Sequence, residues 1–168
     1  MSRSYFHKRK LFTINELLEY ATRIKETGEK IVFTNGCFDI IHKGHIQYLR
    51  ASRLLGDYLI IGLNSDKSVS RLKGAGRPIN SCEDRALILE AFDFVDCVIV
   101  FDEDNPLNII HELKPDIYTK GGDYDMANVV GNNLGKEIIE EYGGKVILIP
   151  IVTGVSTSEL IRKMVLYD

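Results

Sequence analysis

Residues 31–49, with the sequence IVFTNGCFDIIHKGHIQYL, decide the fold of this chain. The run IVFT at the start is short and apolar, as expected of a strand that is buried on both faces of a parallel sheet. A small polar loop follows, and His42 and His45 then lie three residues apart at the start of an apolar pattern with helical spacing. The stretch therefore predicts a buried strand, a loop and a helix, in that order.

Four further strand-like segments follow the first, and helical patterns separate them. The first helical pattern begins with a capping box of Thr13 and Glu16, and the last runs from Ser156 through Met164. The strand-like segments are KIVFTN (30–35), DYLIIGLN (57–64), CVIVF (97–101), DIYTK (116–120) and KVILIPI (145–151). We therefore predict an α/β fold with a five-stranded parallel sheet flanked by helices. Ligands of such sheets bind beyond the carboxyl ends of the strands.

The composition is that of one ordinary globular domain. The 168 residues are 45% hydrophobic and 27% charged, and a chain of this size buries about 70% of its unfolded surface. We predict a single domain over 1–168, in which 1–10 form a flexible tail. The net charge of −3 predicts no nucleic-acid partner, and no apolar run approaches the roughly 18 residues of a membrane span.

The cysteines bear on the compartment. Cys37, Cys82 and Cys97 are odd in number and lack C-x-x-C spacing, which argues against a disulfide framework and against a zinc site. The N-terminus also lacks the apolar core of a signal peptide. Together these features predict a cytosolic protein.

The loop after the first strand has features that suit a bound polyanion. Gly36 lets the backbone approach a ligand closely, and His42 and His45, at positions i and i+3, can face the same point. A helix N-terminus adds unpaired N–H groups and a partial positive charge. Two alternatives stay open on these residues alone. The histidines could be ordinary surface or core residues, or they could bind a metal, although no third ligand is evident.

A second motif, near the C-terminus, favours the polyanion site over these two alternatives. By itself VSTSELI (155–161) would be a capping box of Ser156 and Glu159. Together with GCFDIIHKGH, it resembles the I-S-T-T-x-I and H-x-G-H signatures of the nucleotidyltransferase superfamily. That superfamily includes cytidylyltransferases, pantetheine-phosphate adenylyltransferase and, more distantly, class I aminoacyl-tRNA synthetases. The resemblance implies its Rossmann-like fold.

A narrower resemblance covers nearly the whole chain from Leu11 onward. The segments FTNGCFDIIHKGH, GLNSDKSV, RLKGAGRPI, EDRA and TKGGDY are similar to the adenylyltransferases that make ADP-heptose for lipopolysaccharide-type pathways. In many bacteria that domain is fused behind a sugar kinase, and we expect the stand-alone form here. The resemblance implies that ATP and D-glycero-D-manno-heptose 1-phosphate are the substrates, that Mg²⁺ assists, and that the protein is a homo-oligomer, with a dimer favoured.

The same resemblance implies roles for individual residues. The catalytic residues would be His42, His45 and Lys73, which hold phosphate oxygens. The nucleotide would contact Asn35, Gly36, Cys37, Phe38, Lys120, Gly121, Asp123, Ser156, Thr157 and Ser158. The sugar phosphate would contact Asp39, Asp66, Arg77 and Arg85. Lys73, Arg77 and Arg85 could instead belong to a solvated face, and Asp66 could simply start a helix. No residue is predicted as a metal ligand.

Two other functions compete with this hypothesis. A cytidylyltransferase acting on an alcohol phosphate such as glycerol 3-phosphate carries an arginine shortly before the second signature, and the stretch PIVTG (150–154) has none. A non-catalytic nucleotide-binding regulatory module would be expected to lose some of His42, His45 and Lys73, and all three are present. The sequence therefore favours the adenylyltransferase.

Overall fold

The computed structural model describes residues 9–121, 134–150 and 157–165. Within these ranges the strands are β1 (Leu11–Phe12), β2 (Ile31–Gly36), β3 (Tyr58–Asn64), β4 (Cys97–Phe101), β5 (Ile117–Gly121) and β6 (Lys145–Ile149). They form one sheet in the order β1-β4-β3-β2-β5-β6. Every neighbouring pair is parallel. The predicted α/β fold with a parallel sheet is therefore confirmed.

Helices follow most strands, as the sequence patterns indicate. The described helices are α1 (Ile14–Glu26), α2 (Lys43–Arg53), α3 (Asp66–Lys73), α4 (Cys82–Glu90), α5 (Leu107–Leu113), α6 (Leu134–Glu141) and α7 (Thr157–Val165). The capping box before α1 is present, because Thr13 Oγ1 accepts from Glu16 N and Thr13 N donates to the Glu16 carboxylate. None of the described helices is long and apolar enough to cross a lipid bilayer.

The predicted strand count of five is wrong by one. The additional strand, β1, has two residues and pairs with β4, with Leu11 opposite Val98. The N–H of Val98 donates to the carbonyl of Lys10 at 2.8 Å and extends this pairing. A strand of two residues shows neither alternation nor an apolar run, so a periodicity pattern cannot detect it.

Two hydrophobic layers cover the two faces of the sheet. On one face, α1, α5 and α6 pack on alternate strand residues such as Phe33 and Ile60. On the other face, α2 and α4 pack on the intervening residues, such as Val32 and Ile61. Because both faces are buried, the central strands are continuously apolar rather than alternating.

The sheet opens at its carboxyl end between β2 and β5. The described pairing of these two strands ends with Thr34 opposite Thr119. Beyond that pair, β2 continues on β3 as far as Gly36, and β5 continues on β6 as far as Gly121. The chain also changes direction across the sheet here, because β3 and β4 lie on one side of β2 while β5 and β6 lie on the other. Such a switch point is where open α/β sheets bind ligands.

Candidate active site

The two histidines of the H-x-G-H motif stack at the start of α2. His42 is the N-cap residue of this helix, and its Nδ1 accepts a hydrogen bond from the His45 N–H at 3.4 Å. The ring centroids are 3.8 Å apart, with 23° between the planes. The ring of Phe38 meets His45 edge-on at 5.4 Å. His42 and His45 therefore lie side by side at the start of α2, and their contact with a phosphate stays a prediction.

The environment keeps both imidazoles neutral near pH 7. Burial lowers the pKa of His42. Burial, together with the neighbouring His42, lowers the pKa of His45 to about 4, and the Ile40 backbone opposes this only weakly. Among the described residues, His45 Nδ1 is buried without a hydrogen-bond partner. The pair therefore offers hydrogen-bonding groups rather than fixed positive charge.

The end of β2 leaves little room for a side chain at Gly36. A Cβ added there would lie 3.0 Å from Cε2 of Phe38, whose ring is almost fully buried. Phe38 itself has a φ of 45°, in the left-handed region that non-glycine residues rarely adopt. The loop between β2 and α2 thus holds the Phe38 ring against His45 through a backbone conformation that residues with a side chain rarely adopt.

Lys120 faces the β2 loop from the other side of the opening. Its Nζ donates to Asn35 Oδ1 at 3.3 Å, and the Tyr118 hydroxyl donates to the same oxygen at 2.6 Å. The pKa of Lys120 is lowered to about 8, mainly by burial; Cys37 opposes this effect and the charge of Lys73 adds to it. An anion between the ends of β2 and β5 would relieve this cost, because a nearby negative charge favours the protonated amine.

Lys73 ends α3 and is exposed to solvent. The residue after it, Gly74, has a φ of 91°, and Gly76 has a φ of 83°. Lys73 lies close enough to the opening for its charge to lower the pKa of Cys37 and of Lys120. The side chain is therefore near the other candidate residues, and its catalytic role stays a prediction.

Asp39 and Arg77 form a buried ion pair that anchors a neighbouring segment. Arg77 Nε donates to the Asp39 carboxylate at 2.6 Å. The other carboxylate oxygen of Asp39 accepts from the N–H groups of Ile79 and Asn80. Asp39 is only 2% exposed. Both residues thus hold 77–80 against the β2 loop, and their contact with a sugar phosphate stays a prediction.

Arg85 lies beneath the loops rather than facing solvent. Its guanidinium is fully buried and donates to three backbone carbonyls and one carboxylate: Asn80 O, Cys37 O, Asn64 O and Asp66 Oδ1, at 3.1, 2.6, 2.8 and 2.7 Å. A guanidinium with no exposed surface cannot reach a substrate without rearrangement. Arg85, which also hydrogen-bonds to Asp66, therefore holds the ends of β2 and β3 and the loops after them together. The sugar-phosphate role predicted for both residues is untested.

A residue of the C-terminal motif at 155–161 contacts a residue of the segment that carries the H-x-G-H motif. Thr157, the first residue of α7, donates from Oγ1 to the carbonyl of Ile40 at 3.3 Å, two residues before His42. Gly121 is the last residue of β5 and lies at the same carboxyl end of the sheet. The predicted residues Asp123 and Ser156 lie outside the described residues, and the side chain of Ser158 does too.

Four buried hydroxyl-bearing residues escaped the sequence analysis: Thr34, Tyr48, Ser52 and Thr119. They form a hydrogen-bonded group between α2 and the two strands that border the opening. A sequence signal could have indicated two of them, because Tyr48 and Ser52 occupy the inward i, i+4 face of α2 beside Leu49. No cluster of three or more potential metal ligands occurs in the ranges that the structure describes.

Comparison with known proteins identifies relatives of the whole domain. A family model described as cytidylyltransferase-like matches residues 33–163. Proteins named bifunctional protein HldE are similar to this chain: that of Geobacter sulfurreducens is 51% identical over 140 residues, which are 83% of this chain and 28% of the relative. That of Campylobacter fetus is 49% identical over 157 residues, 94% of this chain and 32% of the relative. The chain thus spans less than a third of the length of these curated relatives.

Two solved structures share the fold. The lipopolysaccharide core biosynthesis protein of Thermoplasma volcanium is 32% identical with a TM-score of 0.60, and the match covers 76% of this chain and 100% of that one. The pantoate-beta-alanine ligase of Francisella tularensis, solved in complex with Beta-gamma ATP and beta-alanine, has a TM-score of 0.62 and covers 90% of this chain and 69% of that one. At 14% identity, the second likeness concerns the fold alone.

Proposed function

The chain belongs to the cytidylyltransferase-like family, and from that premise we propose that it is an adenylyltransferase that transfers AMP from ATP to heptose 1-phosphate. A phosphate oxygen of the sugar phosphate attacks the α-phosphorus of ATP and forms the new P–O bond. The bond from the α-phosphorus to the bridging oxygen breaks, and pyrophosphate leaves. The products are ADP-heptose and pyrophosphate.

One observation carries this proposal. The hydrogen bond from Thr157 Oγ1 to Ile40 O joins the two nucleotidyltransferase signatures at the carboxyl end of the sheet, although more than a hundred residues separate them in sequence. The same end of the sheet, around the opening between β2 and β5, also carries His42, His45 and Lys120. Hydrogen-bond donors and positive charge gathered at a switch point are suited to a triphosphate.

The residues support catalysis by positioning rather than by a covalent intermediate. Phosphoryl-type transfer depends mainly on alignment and on stabilising the charge that develops on the phosphates. Neutral His42 and His45 can donate hydrogen bonds to phosphate oxygens, while Lys120 and Lys73 supply positive charge. Burial raises the pKa of the Cys37 thiol, and a protonated thiol is a poor nucleophile. We therefore assign no covalent role to Cys37.

The resemblance also bears on the metal, the assembly and the compartment. We expect Mg²⁺ to enter bound to the ATP phosphates, which is its usual mode in such sites. We further propose that the protein acts in the cytosol as a homodimer. Sedimentation velocity at micromolar concentration tests the assembly, and a purely monomeric species would contradict it.

The experiment that tests the function compares nucleotides and acceptors in one assay. Pyrophosphate release is measured with ATP or CTP and Mg²⁺, using heptose 1-phosphate, other sugar 1-phosphates or glycerol 3-phosphate as acceptors. A site that hydrogen-bonds one base discriminates against another by as much as ~10⁴, so we expect release with ATP and heptose 1-phosphate and very little with CTP. Preference for CTP with glycerol 3-phosphate would establish the cytidylyltransferase instead. Nucleotide binding without release from any acceptor would indicate the regulatory module.

A further inference from the structure

A buried cluster of hydroxyl groups lies at the point where the sheet opens. This hydroxyl cluster consists of Thr34, Tyr48, Ser52 and Thr119. Thr34 and Thr119 are the last described pair between β2 and β5. Thr34, Ser52 and Thr119 have no exposed surface, and Tyr48 is 7% exposed. The cluster therefore lies beneath the candidate site and not in it.

The hydroxyl of Tyr48 is at the centre of the cluster. It donates to the carbonyl of Thr119 at 3.0 Å, lies 3.3 Å from Thr119 Oγ1 and hydrogen-bonds to Thr34 Oγ1. Thr34 Oγ1 is also within 3.1 Å of the Thr119 carbonyl. Ser52 Oγ, one turn further along α2, hydrogen-bonds to Thr119 Oγ1 at 2.9 Å. The Tyr48 side chain of α2 thus hydrogen-bonds to both β2 and β5 at their last described residue pair.

The sequence positions of these residues connect the cluster to the site. Tyr48 is three residues after His45 on the same helix, so it lies on the same side of α2 one turn further along. Thr34 directly precedes Asn35, and Thr119 directly precedes Lys120. One hydrogen-bonded group therefore sets the histidines relative to both strand ends.

Apolar packing alone would not set this geometry. Leu49 and the other buried residues of α2 hold the helix against the sheet, but the hydrophobic effect itself is non-directional. Hydrogen bonds between buried hydroxyls have narrow distance limits, and a displaced hydroxyl would be left unpaired at a cost. The cluster thus favours one position of α2 along the sheet.

We propose that Tyr48 is a positioning residue, whose hydroxyl holds the N-terminus of α2 and its two histidines in register with the ends of β2 and β5. The kinetic consequence rests on the proposed function, whereas the positional consequence does not. Tyr48 touches no substrate in this scheme and acts through His42 and His45.

The test uses the substitution Tyr48→Phe, which removes the hydroxyl and keeps the ring. Its matched control is Tyr142→Phe, because the Tyr142 hydroxyl is also buried but has no hydrogen-bond partner in the described part of the chain. Tyr142 follows α6 and precedes β6, so it lies near the amino end of that strand, away from the carboxyl ends where the candidate site lies. Ser52→Ala removes a single hydrogen bond of the cluster and serves as a milder variant.

Turnover is measured well below the unfolding temperature of every variant. We expect Tyr48→Phe to lower kcat about 10- to 100-fold, since small misplacements of reacting groups have effects of this size, with a smaller change in KM. Ser52→Ala should lower kcat several-fold, and Tyr142→Phe should leave it unchanged. A Tyr48→Phe enzyme with kcat within twofold of the wild type would overturn the proposal, as would an equal loss in Tyr142→Phe.

A second measurement needs no substrate and separates this inference from the proposed function. Histidine ring resonances are followed by NMR as pH is lowered, with His111 on α5 as the internal reference. In Tyr48→Phe the His45 ring should become more accessible, and its pKa should move up from about 4 toward its ordinary value. An unchanged His45 titration would contradict the positioning role even if the wild type proved to have another activity. If Tyr48→Phe does not fold, the same two readouts on Ser52→Ala decide the matter.

Discussion

The imidazole rings of His42 and His45 lie face to face, with their centroids 3.8 Å apart. Burial lowers the pKa of each ring, and the neighbouring His42 contributes to the lowering at His45. The pair is therefore neutral at neutral pH. It can donate hydrogen bonds to an anion, while Lys120 supplies the positive charge.

Replacing His45 should impair turnover far more than folding. The removal of one preorganised donor that stabilises developing charge typically lowers kcat by about 10²–10³, and we expect a loss of that size for His45→Ala with heptose 1-phosphate and ATP. His111→Ala, at an exposed position of α5, is the control and should retain full rate. Near-normal kcat in a stably folded His45→Ala would contradict the phosphate-binding role of the histidines.

The same residue should make the fold sensitive to acid. The pKa of His45 is about 4 in the folded protein and 6.5 ordinarily, so the unfolded chain binds the extra proton first. The contribution of His45 to stability is therefore fully present above its ordinary pKa and falls as pH drops toward 4, by an amount on the order of 2–3 kcal/mol. Urea titrations from pH 7 to 4 measure it, and His45→Gln should flatten the wild-type slope. Parallel slopes for the two proteins would show that other groups cause the acid sensitivity.

Lys120 should make nucleotide affinity depend on pH at the alkaline side. With a pKa of about 8, the Lys120 side chain loses its proton above that pH in the protein without nucleotide, so the amine would have to take up a proton when a phosphate binds. The Kd for ATP should rise as pH increases beyond 8, approaching ~tenfold per pH unit. Isothermal titration calorimetry between pH 7 and 9.5 measures this, and Lys120→Met should bind more weakly at pH 7 without the alkaline rise. A pH-independent wild-type Kd would exclude Lys120 from the phosphate site.

Lys73 should contribute to turnover without stabilising the fold. It is exposed at the end of α3, next to glycines that can let its segment move toward the phosphates. We expect Lys73→Ala to reduce kcat/KM by at least tenfold and to leave the melting temperature unchanged. Lys67→Ala, at an exposed position of the same helix, controls for the loss of surface charge. If the two variants behaved alike, Lys73 would be an ordinary surface residue.

Arg85 should act on stability first. Its removal leaves buried carbonyl groups of the β2 and β3 loops without a donor, and breaking a buried charged network of this kind costs about 3–5 kcal/mol. Arg85→Ala should therefore lower the urea midpoint sharply. The exposed Arg71–Asp104 pair provides the comparison, since Arg71→Ala should cost less than about 1 kcal/mol. A small stability loss with a large rise in KM for the sugar phosphate would restore Arg85 as a direct substrate contact.

The sequence by itself determined the class of fold and the family of the site. Apolar runs of strand length that alternate with helical patterns define a parallel sheet, because both properties follow from local periodicity. The motif at 42–45 and the second signature carry chemistry through residue type and spacing, which are also local. Periodicity failed at β1, because two residues are too few to show a pattern.

The tertiary structure alone decided which polar residues are buried and bonded within the protein. Arg85 and Asp39 resemble substrate-binding residues in sequence, yet their charged groups are buried and bonded to the protein. The hydroxyl cluster joins Tyr48 to Thr119, 71 residues away, and no local pattern encodes that contact. Burial and hydrogen-bond partners depend on where distant segments meet, so they emerge only when the chain is folded.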